Sequence, residues 1–589
     1  MSVNKTRYLK ILVVAIILLI GLVAYDTERF GYVTFPLLPP LIAITLSMIT
    51  GQVLPSLFLG VWIAALMYTA YNPIAGFMKT FEWIVGNITD SWNATILLFD
   101  FVIGAFVGVL YVSGAMHSIA EVLIRKVKSS RGASLIASIL GVLVFFDDYS
   151  NTVIVGNTMR TLTDKLRVSR ELLSYIVDST AAPVAGIMFV STWIGMEVST
   201  INDALETIQD KVGEGVISIA PDVSAYGLWL RGLPYHFYSF LALLLVFLVV
   251  ITRRHFGPML EAELRAVKTG KVLRDGAVPL MPTETIIGEP KTEKRAPWWL
   301  FVISVFALIT VTLIGLWYTG GQALVEEGVI SEWYQASLLD AISNADPSTP
   351  LLWGSFTAYL VALIGALGTK ALRFKEAMDA TIKGFYLMTL ANAILLLAWS
   401  IKTAVSEVGT ADYIIARTVT MIPVYWIPLV VFLVSMFIAY TTGTSWGTFG
   451  IMMPLAVPLA WIAALVQTGS VELAYIVTAA SIGAVFGGGI YGDHVSPISD
   501  TTIMSSMFSG CDHIDHVKTQ IPYGTLAALV SLILYIILAI WLSIAPNPYA
   551  GVILVFIGVV VLIVLHRLLN KWYAKKKGLP EVVEDYRIE

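Results

Sequence analysis

Residues 487–508 read GGGIYGDHVSPISDTTIMSSMF. They follow an apolar run, LAYIVTAASIGAVF (473–486), that by itself reads as half of a membrane helix. Asp493, His494, Ser496, Pro497, Ser499, Asp500, Thr501 and Thr502 then stand where hydrocarbon is expected. A charged side chain at bilayer depth costs about 2.5–3.5 kcal/mol even on lenient insertion scales. Unwound backbone survives at that depth only where it lines protein or water. Two carboxylates, a proline and a glycine run here predict a helix broken around a binding site at mid-membrane.

The rest of the chain supports a membrane setting. Of 589 residues 57% are hydrophobic and 13% charged, and the mean hydropathy is +0.80. A soluble fold cannot bury that much apolar surface, so the expected class is an all-α polytopic membrane protein. The net charge of −4 gives no sign of a nucleic-acid partner, and the lone Cys511 excludes an intrachain disulfide framework or a multi-cysteine metal cluster. Ile11–Ala24 follows Lys5, Arg7 and Lys10, as a signal peptide would. No small-residue cleavage site follows it, and it is read as a retained first helix.

Apolar runs place twelve spans at 10–25, 36–51, 53–70, 94–115, 172–196, 233–252, 297–319, 350–367, 384–408, 471–508, 521–545 and 549–566. Hairpin-like segments cover 133–161 and 427–465. Lys and Arg clusters such as Arg125/Lys126/Lys128/Arg131 and Lys575–Lys577 put both termini in the cytoplasm, with acidic 197–232 and 320–349 outside. These assignments agree only if each hairpin re-enters from its own side, 133–161 from the cytoplasm and 427–465 from outside.

The expected organisation is N-terminal scaffold helices (1–92), a first unit (93–252), a solvated cytoplasmic linker (253–296), scaffold helices (297–383), a second unit (384–520), and C-terminal scaffold helices with a basic tail (521–589). Constant offsets align Pro183 with Pro497, Ser191 with Ser505, and Thr192 with Ser506. They also align Thr152 with Thr448, Val112 with Val408, and Ala115 with Ala411. Each unit reads as helix, re-entrant hairpin and broken helix, and the charge rule orients the two oppositely. Inverted repeats with interrupted helices meeting at the midplane are a secondary-transporter architecture.

The first hairpin tip, VFFDDYSNTVIVG, offers Asp147, Asp148, Ser150, Asn151 and Thr152; the second, AYTTGTSWGTFG, offers Thr444, Ser445 and Thr448. Hydroxyl, amide and carbonyl oxygens at a chain reversal suit a small hard cation, though the same groups also cap half-helices. In YIVDSTAAPVAGIMFVSTW, Asp178 and Ser179 precede Pro183, which frees a carbonyl one turn earlier. Capping of the second half-helix is the structural alternative for Asp178. Asp147, Asp148, Asp178, Asp493 and Asp500 outnumber the one strong base at comparable depth, Lys402, so the site suits cations, protons included. His494 could relay protons beside Asp493, and Ser496 adds a hydroxyl. Lys402, Trp193 and Trp446 are possible substrate contacts. Asn151, Asp178, Thr448 and Asp493 are the expected sodium ligands. The loop GCDHIDHVK (510–518) matches no zinc spacing and reads as an ordinary cytoplasmic loop.

The strings FFDDYSNTVIVG, DSTAAPVAG…STW and GDHVSPISDTT resemble the NhaC family of sodium/proton antiporters, over most of residues 90–530. The resemblance implies sodium taken against protons in the cytoplasmic (inner) membrane, a moving transport domain beside a scaffold, and a homodimer. Ser150-Asn151-Thr152 is similar to the hairpin motif of related sodium–dicarboxylate symporters; the matching tip departs from it, reading Ser445-Trp446-Gly447-Thr448. Sodium/proton exchange by alternating access is therefore the leading expectation, with sodium as the transported or coupling ion, no cofactor, and the lipid bilayer as the other partner. A sodium- or proton-coupled carrier of an amino acid or carboxylate is the alternative. An intramembrane enzyme is not expected: Ile490 breaks Gly-x-Gly-Asp, and HExxH and GxSxG are absent. A channel with opposed re-entrant loops is a further alternative.

Overall fold

The computed structural model describes residues 36–588 apart from 51–52, 125–126, 280–294, 327, 339, 342–344, 347, 411–412, 414–420 and 498. The expected span 10–25, the second part of the linker and Ala411 lie outside the described residues. The described helices begin with α1 (Leu38–Thr50), α2 (Val53–Tyr68), α3 (Pro73–Thr89), α4 (Ser91–Val112) and α5 (Ala115–Ile124). The first hairpin is α6 (Ser130–Leu143) with α7 (Asp148–Lys165); the first interrupted helix is α8 (Arg170–Ala185) with α9 (Thr192–Gly213). Next come α10 (Ala225–Gly232), α11 (Phe237–Thr252), α12 (Pro258–Thr269), α13 (Trp298–Glu326), α14 (Ser348–Gly368) and α15 (Phe374–Glu407). The second hairpin is α16 (Ile427–Thr442) with α17 (Ser445–Thr468), and the second interrupted helix is α18 (Val471–Val495) with α19 (Asp500–Ser509). The long α20 (His513–Ile544) and α21 (Ala550–Lys577) close the order.

The protein is an all-helical, multi-pass membrane protein. Among the described residues nine helices are long and apolar enough to cross a bilayer. A tenth span results if residues 225–235 and 237–252, bent by 51°, count as one. The core helix is α18, almost wholly buried and packed against α16, α17 and α20. The glycine run of the opening stretch is not unwound, as the sequence suggested: it stays helical within α18. A Cβ at Gly492 would lie 2.5 Å from the Tyr440 nitrogen, and one at Gly488 would lie 2.6 Å from the Phe432 oxygen. The glycines thus let the α16 backbone lie directly on α18, and only residues 496–499 interrupt the helix.

A second glycine contact joins α4 to α15. A Cβ at Gly104 would stand 2.5 Å from the Gly384 carbonyl oxygen, and one at Gly108 would stand 2.3 Å from that of Ala380. Small residues four apart permit this approach in membrane helices. Backbone cannot yield as a flexible side chain does, so Gly104→Ala is expected to cost about 1–3 kcal/mol. Thermal unfolding in detergent measures it, with Gly86→Ala, whose Cβ meets nothing within 4 Å, as the control.

Three segments differ from their sequence reading. The expected outer segment 197–232 is largely helical, because α9 continues to Gly213. The linker is not a free connector in its first part: α12 buries Met259 and Leu260, and Arg253 pairs with Glu263 at 3.2 Å with both side chains almost wholly buried. The tail after 566 is likewise engaged. Val583 N donates to Arg253 O, Ser130 N to Tyr586 O, and Ile588 N to Lys128 O, so the tail crosses the base of the first hairpin. The amphipathic helix α3 was not anticipated, because its apolar residues lie on one face.

Candidate functional site

Asp178 sits in α8, one turn before Pro183, with no exposed surface. Its Oδ1 accepts from Ser505 Oγ at 3.2 Å, and its Oδ2 from Thr502 Oγ1 at 3.2 Å and from Gln520 Nε2. His516 Nε2 lies 3.3 Å from the same Oδ2. All these partners come from α19 and α20, beyond the second interruption. The capping alternative for Asp178 does not hold: Ser191 caps α9, its Oγ accepting from Ile194 N at 3.2 Å. Pro183 lies inside α8, whereas Pro497 lies in the second interruption, so the offset pairing these prolines does not superpose the two breaks.

The second interruption leaves Asp493 and His494 in the last turn of α18, both buried. His494 Nε2 lies 3.1 Å from Asp178 O, its Nδ1 lies 3.1 Å from Tyr238 Oη, and its carbonyl accepts from Gln520 Nε2 at 2.6 Å. Asp493 Oδ2 accepts from Thr501 Oγ1 at 3.1 Å, and Ser496 N donates to Asp493 O at 3.1 Å. Ser499 caps α19, where Asp and Ser are favoured because they meet the free N–H groups of the first turn.

The first hairpin tip closes on this centre from α7. Asn151 Nδ2 donates to the carbonyls of Gly141 at 2.6 Å, Val144 at 3.3 Å and Thr180 at 3.0 Å, which ties both hairpin arms to α8 two residues from Asp178. Its Oδ1 is buried and has no partner. Asp147 Oδ1 accepts from Thr192 Oγ1 at 3.1 Å, and Thr192 N donates to Phe146 O, fixing the tip on the start of α9. Asp148 faces the second tip: it lines a cavity of about 20 Å3 with Tyr149, Thr444, Ser445, Trp446 and Thr501. That is room for one water-sized particle. Thr444 caps α17, and Thr448 donates to Thr444 O at 2.9 Å. Trp193 of α9 meets Trp446 edge to face, with ring centres 6.3 Å apart.

Asp147, Asp148, Asn151, Asp178, Ser445, Asp493 and His494 thus converge, with Thr152, Ser179 and Ser496 buried in the same elements. The side chains of Ser150 and Asp500 lie outside those described. Lys402 is elsewhere: it pairs with Glu206 at 2.7 Å and Asp203 at 3.4 Å in the second half of α9. His516, Gln520, Tyr238 and Ser505 belong to the centre and were missed. His516 came from the loop read as ordinary, the rest of which is structural. Asp515 pairs with Arg274 at 2.8 Å, and Asp512 caps α20. Partial burial works to raise the Asp512 carboxyl's pKa, but the N–H groups of Val278, Asp515 and Ile514 hold it below the ordinary value.

The model of the Na+/H+ antiporter family matches residues 184–540. An uncharacterized protein of Haemophilus influenzae is 31% identical over 514 residues, covering 86% of this chain and 91% of that protein. The arginine/ornithine antiporter ArcD of Halobacterium salinarum is 29% identical over 222 residues, 37% of this chain and 42% of its own length. The malate-2H(+)/Na(+)-lactate antiporter of Bacillus subtilis is 28% identical over 131 residues, 21% of this chain and 22% of its own. Among solved structures, the YdaH transporter of Alcanivorax borkumensis shares the fold, with a TM-score of 0.51 at 12% identity over 80% of this chain and 90% of that one. With a family match over more than half its length, the chain belongs to the Na+/H+ antiporter family.

Proposed function

We propose that this secondary transporter exchanges sodium for protons across the cytoplasmic membrane, with both ions competing for the carboxylates of Asp178 and Asp493. The observation that carries the reading is the setting of Asp178, a fully buried carboxylate ringed by Thr502, Ser505, Gln520 and His516, with no Lys or Arg paired to it among the described residues. Hydroxyls donate to the carboxylate when the site is empty, and their lone pairs can turn to a metal ion when it is filled. The Gln520 Oε1, which has no hydrogen-bond partner among the described residues, supplies a further hard donor. The two histidines beside Asp178 can each donate or accept a hydrogen bond through either ring nitrogen, depending on tautomer.

In this reading the interrupted helices and hairpin tips form the moving part, and access alternates as they shift against the remaining helices. Both termini lie in the cytoplasm, the protein works as a homodimer in the bilayer, and it needs no cofactor. The test is transport in proteoliposomes carrying an internal pH dye, under an imposed sodium gradient. Proton movement driven by sodium alone is expected.

A second reading, coupled transport of an organic solute, has one observation in its favour. Trp446 and Tyr149 flank Asp148 in the cavity between the tips, and a carboxylate beside aromatic faces suits an ammonium group. The two partial relatives are named as exchangers of arginine and ornithine, and of malate and lactate. Proton movement that appears only when such amino or carboxylic acids are added would establish this reading instead.

A further inference from the structure

Asp100 lies in the middle of α4, outside the centre built on Asp178. Its side chain has no exposed surface, and neither carboxyl oxygen meets a hydrogen-bond donor. It is pressed against α9, where the Cβ position of Gly195 lies 3.5 Å from its Oδ1. One turn earlier on α9, Thr192 Oγ1 donates to Asp147 Oδ1 at 3.1 Å. Of the other charged groups of α9, Glu197 accepts through Oε2 from Trp229 Nε1 at 2.6 Å, Asp203 and Glu206 meet Lys402, and Lys211 meets Glu214. Among the described residues no Lys, Arg or His pairs with Asp100.

A bare carboxylate in such surroundings is untenable, because nothing replaces the water it leaves; it is neutralised by a proton or a cation. Hard cations gather roughly six oxygens. Thr192, one turn from the Gly195 that faces this carboxyl, has its hydroxyl committed to Asp147. A proton needs one acceptor.

We propose that Asp100 is a second proton site, occupied in this conformation and separate from the exchange centre. The Asp147–Thr192 bond that holds the first hairpin tip on α9 lies one helical turn from the Gly195 that faces this carboxyl.

Infrared difference spectra of the purified full chain in lipid test the assignment without reference to transport. Wild type minus Asp100→Asn at neutral pH is expected to show the carbonyl band of a protonated carboxyl. The band should shift in deuterated water and persist in saturating sodium. A difference confined to the ionised-carboxylate region overturns the proposal, and so does removal of the band by sodium, which would mark a cation site. Because a protonated Asp and an Asn are alike in charge and shape, Asp100→Asn is also expected to insert and to unfold close to the wild-type temperature. Failure of that variant to fold counts against the proposal as well.

Discussion

Asp178→Asn is expected to reduce sodium-driven proton flux in proteoliposomes to the background of empty vesicles. The loss should be roughly 100-fold or more, the scale on which removal of a positioned proton-transferring group acts. Two causes combine. The amide cannot bind and release a proton, so the step that exchanges one ion for the other disappears. Its –NH2 also turns donors toward donors, since Thr502, Ser505 and Gln520 all point hydrogens at this side chain. Ser505→Ala removes one of those bonds and leaves the carboxylate. It should cost about 0.5–1.5 kcal/mol of ion affinity and leave coupled exchange in place. Insertion and thermal unfolding of both variants separate loss of transport from loss of fold. Wild-type flux in Asp178→Asn, with the protein intact, would remove the exchange mechanism from this centre.

Much of this was legible because the membrane is an unforgiving solvent. Polar residues inside apolar runs stand out there, so the helix ends at 143–148, 442–445 and 495–500 fall close to the polar stretches that the sequence marks. The reading failed where the signal was not local. The GGG run looked like a chain break; its role is contact with α16, visible only once that neighbour is in place. His516 and Gln520 fell in what charge and polarity marked as a loop, although their spacing of four places both on one face of α20. That spacing was the available clue.

Lys402 was judged by its depth alone, and the acids that claim it lie on an extension of α9 that reads as an acidic outer loop. The helices α3 and α12 contain no uniformly apolar run, because each is amphipathic. The tail's docking on Arg253 and on residues 128–130 joins ends of the chain hundreds of positions apart, and no local pattern announces such a contact.

Asn151 separates two roles that the sequence could not. If its part is to ligate sodium through Oδ1, a carboxylate there is as good a ligand or better, and Asn151→Asp should keep or raise sodium affinity. The geometry points the other way. Nδ2 donates to three backbone carbonyls, at Gly141, Val144 and Thr180, and these bonds hold the first hairpin against α8 beside Asp178. Asn151→Asp sets a carboxylate against those carbonyls in a buried site and removes the donor at once. Asn151→Ala only removes the donor, costing about 1–3 kcal/mol for each carbonyl left bare. The expected order of both thermal stability and transport is therefore wild type, then Asn151→Ala, then Asn151→Asp, with the last inactive. Gly141 sharpens the test, since a Cβ there would lie 2.0 Å from Thr180 Oγ1, so Gly141→Ala should part the same two elements without touching Asn151. An Asn151→Asp protein that folds and binds sodium as tightly as wild type would make the residue a ligand first and a tether second.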